Sequence, residues 1–345
     1  MTKVVRVGDV LIGGGNKIAV QSMTNTVTKN ADATSAQINA LTDVGCDIVR
    51  VAVADAADAE ALGDIKKRIK VPLVADIHFD YRLAVAAVRN GADKIRINPG
   101  NIGSDEGLKK IISAAKERGV AIRIGVNGGS LGKDILARFG NTAAALAESA
   151  LEYVRRFEDM GFDNIVLSVK SSDVRKTVDA CRILAKECDY PQHIGVTESG
   201  SGESARVKSA IGIGALLLDG IGDTIRVSLT DNPVEEVLFA KEILRAVGKD
   251  KNYCEVISCP SCGRCGINLI AVAQEIKEYV KDIKKPMKIA VMGCAVNGPG
   301  EAADADLGLA GGQGKAVFFK NGKVFRTVAA DGMTEEFKRE IDKIR

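Results

Sequence analysis

Eight short β-rich runs recur along the first part of the chain: KIAVQSM from residue 17, DIVRVAV from 47, PLVADIH from 72, KIRINPG from 94, AIRIGVN from 121, NIVLSVK from 164, HIGVTES from 193 and TIRVSL from 224. Each interval has room for a strand and a helix returning along it, and eight such units close a parallel barrel. The helices are legible between the runs. TSAQINALTDVG, YRLAVAAVRNGA, GLKKIISAAKERG and PVEEVLFAKEILRAVG carry apolar residues three and four apart and end on or near Gly or a basic residue. The pattern predicts an α/β chain: a (β/α)8 TIM barrel over residues 1–247, a linker at 248–254 and a small α+β domain over 255–345. An open flavodoxin-like sheet would need fewer strands.

Residues two apart on a strand share a face, and one face of every barrel strand looks inward. In KIRIN the isoleucines face the helices, which sends Lys94, Arg96 and Asn98 inward. The same alternation sends in Arg50 from the second strand, Asp76 and His78 from the third, and Arg123 and Asn127 from the fifth. Ser168 and Lys170 follow from the sixth, Thr197 from the seventh, and Arg226 and Ser228 from the eighth. Barrel interiors are ordinarily filled with Val, Ile and Leu, and an unpaired buried cation is expensive. Against Arg50, Arg96, Arg123, Lys170 and Arg226, only Asp76 and the nearby Glu198 are available inside as acids. The excess calls for a multiply charged anion. Arg presents a planar fork that matches phosphate oxygens, so a diphosphate fits the set better than one carboxylate. Chemistry in such barrels occurs at the carboxyl ends of the strands. Glu198, in VTES, is the expected general base or proton shuttle, with Thr197 positioning a substrate hydroxyl. His78 and His193 are expected to be structural.

The formal net charge of +3 and an aromatic content of 4% with no Trp exclude a nucleic-acid footprint and base-stacking platforms. MTKVVRVGDV lacks the apolar core of a signal peptide, and SAIGIGALLLDGIG is broken by glycines and too short to span a bilayer. A cytoplasmic protein is expected, with no membrane partner. Eight cysteines in a reducing compartment are then metal ligands or core residues, not a disulfide framework. Cys46, Cys181 and Cys188 read as small buried hydrophobes. Cys254, Cys259, Cys262 and Cys265 crowd together, the last three at ferredoxin-like C-x2-C-x2-C spacing without the usual continuation. Cys294 follows the strand KIAVMG. Spacing alone supports four thiolates, Cys259, Cys262, Cys265 and Cys294, around zinc or an iron–sulfur cluster. The same region holds a helix near LIAVAQEIKEYVKDI, a hairpin in AVFFKNGKVFRTV centred on Asn-Gly, and a final helix MTEEFKREIDKI.

CPSCGRC followed by GCAVNGPGEA resembles the 4-hydroxy-3-methylbut-2-en-1-yl diphosphate synthase family in its two-domain bacterial form. The likeness extends through VQSMTNT, VADIHFDYRLA, KIRINPGNIG, RIGVNGGSL, GVTESG and KSAIGIGALLLDGIGDTIRVSL. The resemblance implies a [4Fe-4S] cluster held by Cys259, Cys262, Cys294 and Glu301, with Cys265 a neighbour. It also implies a reaction: reductive ring opening and dehydration of 2-C-methyl-D-erythritol 2,4-cyclodiphosphate, with two electrons from flavodoxin or ferredoxin. The cyclic diphosphate would lie on Arg50, Arg96, Arg123, Lys170 and Arg226, with Asn127 and Ser228 in support and Asp76 completing the substrate-binding set. Linker length adds an expectation. The eighth helix runs away from the active mouth, and about seven extended residues reach at most roughly 25 Å. A second subunit is therefore expected to supply the cluster, in a head-to-tail homodimer with shared active sites.

Overall fold

The computed structural model describes residues 1–102 and 104–345. It opens with a feature the strand count does not include: an antiparallel hairpin of β1 (Val5–Val7) and β2 (Val10–Ile12). Gly8, at φ +59°, makes its tight turn. The eight anticipated strands follow as β3 (Ala19–Met23), β4 (Ile48–Val53), β5 (Leu73–Ile77), β6 (Lys94–Ile97), β7 (Ala121–Asn127), β8 (Ile165–Lys170), β9 (His193–Ile194) and β10 (Thr224–Ile225). They form one parallel sheet in the order β8-β7-β6-β5-β4-β3-β10-β9. A parallel bridge between Leu167 and Gln192 closes β8 onto the start of β9. The TIM barrel is thus the observed fold of this part of the chain.

The returning helices start where Asn, Asp, Ser or Thr can accept a first-turn N–H. Asn30 caps Ala31–Asp43, Asp55 caps Ala56–Arg68, Ser104 caps Asp105–Arg118 and Asn232 caps Pro233–Ala246. Their apolar faces pack on outward strand residues such as Val49, Val51, Ile95, Ile97, Ile122 and Leu167, all fully buried. A separate cluster lies at the amino ends of the strands, where Val5, Val7 and Ile12 of the hairpin meet Ala19, Ile48, Val74, Ala121 and Val166. This apolar floor seals that end of the barrel. The long interval between β7 and β8 holds two helices, Lys133–Phe139 and Ala143–Asp159.

The chain divides into two compact units, Met1–Lys249 and Asp250–Arg345. The second contains a five-stranded mixed sheet of β11 (Cys254–Ser258), β12 (Met287–Met292), β13 (Leu307–Gly311), β14 (Lys315–Lys320) and β15 (Lys323–Ala329), in sequence order. β11, β12 and β13 are parallel and the rest antiparallel. Helices Leu269–Val280 and Met333–Asp342 bury Val272, Ile276, Phe337 and Ile341 against Ile289, Val291, Leu309 and Phe318. The Asn-Gly hairpin is present, with Asn321 at φ +47° and Gly322 at φ +71°, the left-handed pair a two-residue turn requires. No helix is long and apolar enough to cross a membrane among the described residues.

Candidate active site

The inward residues rise in tiers from the floor. Gln21, Arg50, Lys94, Arg123, His193 and Thr224 each pair across the sheet with a floor residue or with a neighbour that does: Gln21 with Ile48, Arg50 with Val74, Lys94 with Val74 and Ala121, Arg123 with Val166, and Thr224 with Ala19 and His193. One step towards the carboxyl ends come Met23, Asp76, Arg96 and Lys170. All the predicted inward cations are in place: Lys94, Arg96, Arg123 and Lys170 are buried, while Arg50 and Arg226 are nearly so.

Their counter-ions differ from expectation. Asp76 is buried and takes Arg96 Nη1 at 3.2 Å, with Arg50 Nε at 3.9 Å and His78 Nε2 at 3.4 Å. Burial alone would raise its pKa, but Arg50, the bonded His78, Arg96 and Arg123 prevail and hold the carboxyl far below the usual range. The second buried acid beside the cations is Glu236, from helix Pro233–Ala246. It accepts from Ser22 Oγ at 3.0 Å and Leu229 N at 3.0 Å, and lies 3.4 Å from Arg226 Nε. Glu198 does not take this part. β9 and β10 are only two residues long, so the alternation that sends Thr197 and Ser228 inward stops before it reaches them, and Glu198 lies just beyond the carboxyl end of β9. Glu198 is exposed in the following loop at φ +52°, a backbone conformation uncommon for a side-chain-bearing residue. Thr197 and Ser228 are half-buried.

Neutral residues complete the ring. Met23 Sδ lies 3.0 and 2.9 Å from Arg50 Nε and Nη2, and 3.8 Å from Arg226 Nη1. Two inward positions are glycine because arginine and lysine fill their space. A Cβ on Gly125 would stand 2.6 Å from Arg96 Nε, and one on Gly195 would stand 2.2 Å from the Arg226 carbonyl and 2.9 Å from Lys170 Nζ. Burial, together with neighbouring cations, lowers Arg50 to about 10, and pulls Arg123 and Lys170 well below their ordinary values. Arg123 Nε and Nη1 have no hydrogen-bond partner among the described residues. Asn127 is half-buried at the end of β7, paired in register with Lys170.

His193 is fully buried and bonds Thr224 Oγ1 at 3.3 Å, a structural position as expected; His78 is exposed and engages Asp76. Cys46 and Cys181 are core residues whose thiols burial pushes up to about 12, whereas Cys188 is only half-buried.

In the second unit the thiols gather at one sheet edge. Cys259 follows β11 and Cys294 follows β12, its parallel neighbour, while Cys262 sits in the exposed turn after Cys259. Glu301 is exposed at the end of the short helix Gly298–Glu301, a few residues beyond Cys294. Among the described residues no three His, Cys, Asp or Glu side chains converge tightly enough to hold a metal ion. The donor set nevertheless suits an iron–sulfur group. Its thiols are accessible, and Gly293 N–H already donates to Cys259 Sγ at 3.2 Å, the kind of bond that stabilises a ligating thiolate. Cys265 lies beside them: its Sγ donates to the Ile267 carbonyl at 3.2 Å and occupies the space a Cβ on Gly293 would need. Cys254 is half-buried beside the core, its thiol raised to about 11 by burial and nearby carboxylates.

A closed parallel barrel with a cation-lined interior, followed by a separate unit bearing accessible thiols, defines a two-unit (β/α)8-barrel enzyme equipped for a metal cofactor. The chain belongs to the GcpE family. Residues 2–241 match the family model described as the GcpE TIM-barrel domain, and residues 255–343 match the GcpE protein C-terminal domain. It is 55% identical to a protein of Anoxybacillus flavithermus over 99% of this chain and 94% of the relative. It is 54% identical to one of Caldanaerobacter subterraneus subsp. tengcongensis (100% and 97%) and 52% identical to one of Bacillus subtilis (99% and 91%). All three are named 4-hydroxy-3-methylbut-2-en-1-yl diphosphate synthase (flavodoxin). Among solved structures, a Yersinia pestis dihydropteroate synthase matches with a TM-score of 0.52 at 12% identity, over 72% of this chain and 98% of that one. That likeness concerns the barrel fold alone.

Proposed function

We propose that this chain carries out the reaction its relatives are named for, forming 4-hydroxy-3-methylbut-2-en-1-yl diphosphate by reductive ring opening and dehydration of 2-C-methyl-D-erythritol 2,4-cyclodiphosphate. Two electrons from flavodoxin, or from ferredoxin in its place, enter and one hydroxyl leaves as water. The chain is an iron–sulfur oxidoreductase of isoprenoid biosynthesis. The observation that carries the substrate assignment is the barrel's charge: Arg50, Arg96, Arg123, Lys170 and Arg226 face an interior whose only buried acids among the described residues are Asp76 and Glu236. Both acids already have several partners, so the ring retains net positive charge for two phosphates.

In this reading Arg50, Arg96, Arg123, Lys170 and Arg226 bind the diphosphate, Asn127 and Ser228 add hydrogen bonds, and Asp76 holds Arg50 and Arg96 in position. Glu198 moves protons from its loop at the barrel mouth, and Thr197 orients a substrate hydroxyl. Cys259, Cys262, Cys294 and Glu301 hold a [4Fe-4S] cluster. That group supplies electrons singly together with a Lewis-acidic iron. Glu301 is the labile member, because a carboxylate holds iron more weakly than a thiolate.

In this reading the division of labour falls between the barrel and the cluster domain; the expected linker at 248–254 is shorter than the sequence suggests, because the compact units meet at Lys249 and Asp250 and β11 already begins at Cys254. Helix Pro233–Ala246 begins after β10 and carries the chain to the amino-end face, where Lys249 borders a depression with Met1, Gly15 and Lys17. The short connection from there supports a homodimer in which each barrel works with the cluster domain of the other chain. Cytoplasmic location follows from the need for a reduced electron donor.

Anaerobic reconstitution with iron and sulfide, followed by turnover of the cyclic diphosphate with reduced flavodoxin, tests the assignment. A preparation holding a fully thiolate-bound zinc ion, no inorganic sulfide and no product would overturn it. Mixed dimers of a Glu198→Ala chain and a Cys294→Ala chain test the shared site: activity returns if it is shared and stays absent otherwise.

A further inference from the structure

Lys94 belongs to the lowest tier of interior cations. Its cross-strand neighbours, Val74 and Ala121, both belong to the apolar floor. It is 0% exposed, and its Nζ has no hydrogen-bond partner among the described residues. The charged groups facing the same interior offer it little relief. Arg96 comes from its own strand, Arg123 from β7, Arg50 from β4 and Lys170 from β8. Arg226 follows β10, and His193 stands on β9 with Nε2 unpartnered. From β5, Asp76 already serves Arg50, Arg96 and His78, and Glu236 serves Arg226. β3 contributes only uncharged Gln21 and Met23, and the hairpin below is apolar there. A cation in this position is both desolvated and repelled. An arginine must bear that cost because it keeps its proton, whereas a lysine can escape by losing one. Burial, then Arg123 and Arg50, holds the Lys94 pKa well below its ordinary value.

We propose that Lys94 is an uncharged amine in the free protein and takes up one proton when the cyclic diphosphate settles on the guanidinium ring above it. The inference rests on the diphosphate reading given above. The step balances as protein plus dianionic ligand plus one proton giving a protonated complex. The ligand cannot be the acceptor: each phosphorus of the cyclic diphosphate carries one strongly acidic group, fully ionised near neutrality. Lys94 is thus a charge-adjusting, positioning residue. It adds an ammonium under the phosphates only when they are present, which spares the free barrel another buried repulsion. Because binding consumes a proton, affinity falls as pH rises, by up to tenfold per unit between the free and bound pKa values of Lys94.

The test is calorimetric titration of the reconstituted full-length protein with the cyclic diphosphate, in buffers of different ionisation enthalpy at one pH. The slope of observed heat against buffer enthalpy gives the protons taken up. Uptake near one proton that disappears in Lys94→Met or Lys94→Gln supports the proposal. Binding without uptake overturns it while leaving the diphosphate reading intact, and uptake that persists in the variants overturns the assignment to Lys94. No binding heat at all overturns the diphosphate reading and this inference with it. Should neither variant fold, the 13Cε resonance of Lys94 in the wild-type protein decides: it must titrate at higher pH with ligand than without, and an unchanged titration refutes the coupling.

Discussion

Replacing Glu236 by Gln removes one negative charge from the barrel and changes little else in shape. The carboxylate is buried, lies 3.4 Å from Arg226 Nε, and accepts from Ser22 Oγ and the Leu229 amide. At that distance and an effective dielectric of about 20, the attraction to Arg226 is roughly 5 kcal/mol before desolvation is subtracted. Breaking such a pair by removing one partner costs about 3–5 kcal/mol, because the other charge stays buried and uncompensated. Glu236→Gln should therefore lower stability by about 3 kcal/mol, a drop of roughly 6–12 °C in melting temperature for a unit of this size. The neighbouring Glu235→Gln is the control: Glu235 is only half-buried, its pair with Arg206 at 3.1 Å is largely solvated, and its loss costs about 0–1 kcal/mol. The two effects of Glu236→Gln have opposite signs. Stability falls, yet cyclic diphosphate binding is retained or tightened, since the ring has gained net positive charge. Urea unfolding with and without ligand reads both. If Glu236→Gln proves as stable as Glu235→Gln, or binds the anion more weakly at equal folding, the reasoning about interior charge balance is refuted.

Other outcomes follow from the same geometry. The folded-state pKa of Asp76 is depressed, so its stabilisation is present above the unfolded value near pH 4 and is lost as pH falls below it, at about 1.4 kcal/mol per unit. Urea titrations from pH 7 down to 3 should therefore show a shallower acid limb for Asp76→Asn than for wild type, from a lower plateau. Gly125→Ala puts a Cβ into the Arg96 guanidinium and should weaken diphosphate binding at least tenfold, roughly 1.4 kcal/mol, with circular dichroism unchanged. Iron and sulfide content should stay near wild type in Cys265→Ala and fall sharply in Cys294→Ala; equal loss in both would return Cys265 to the ligand set.

The barrel was readable because parallel strands buried on both faces repeat at regular intervals, and within β4 to β8 the period-two pattern places each inward Arg and Lys. It failed where strands were short. β9 and β10 end before Thr197 and Ser228, so alternation could not fix which way these two point, while Glu198 stands in the loop past the carboxyl end of β9. Glu236 was hidden for a different reason. It lies in a helix, and helical periodicity does not reveal that an acid there meets Arg226. The β1–β2 hairpin did carry a signal, VVRV and VLI around Gly-Asp, masked by the brevity of both strands. In the second unit, Cys-x2-Cys-x2-Cys spacing could not show that Cys265 Sγ bonds the Ile267 carbonyl, since that turn depends on packing against Gly293.

The stopper of Val5, Val7 and Ile12 beneath the strands has an electrical consequence. With one end insulated by hydrocarbon and the wall lined by helices, the potential of the enclosed cations escapes mainly through the open mouth, as light leaves a lantern with a single aperture. A dissolved anion is drawn along that beam before it touches any side chain. Its capture rate should drop steeply with added salt, while its escape rate, set by contacts inside, responds far less.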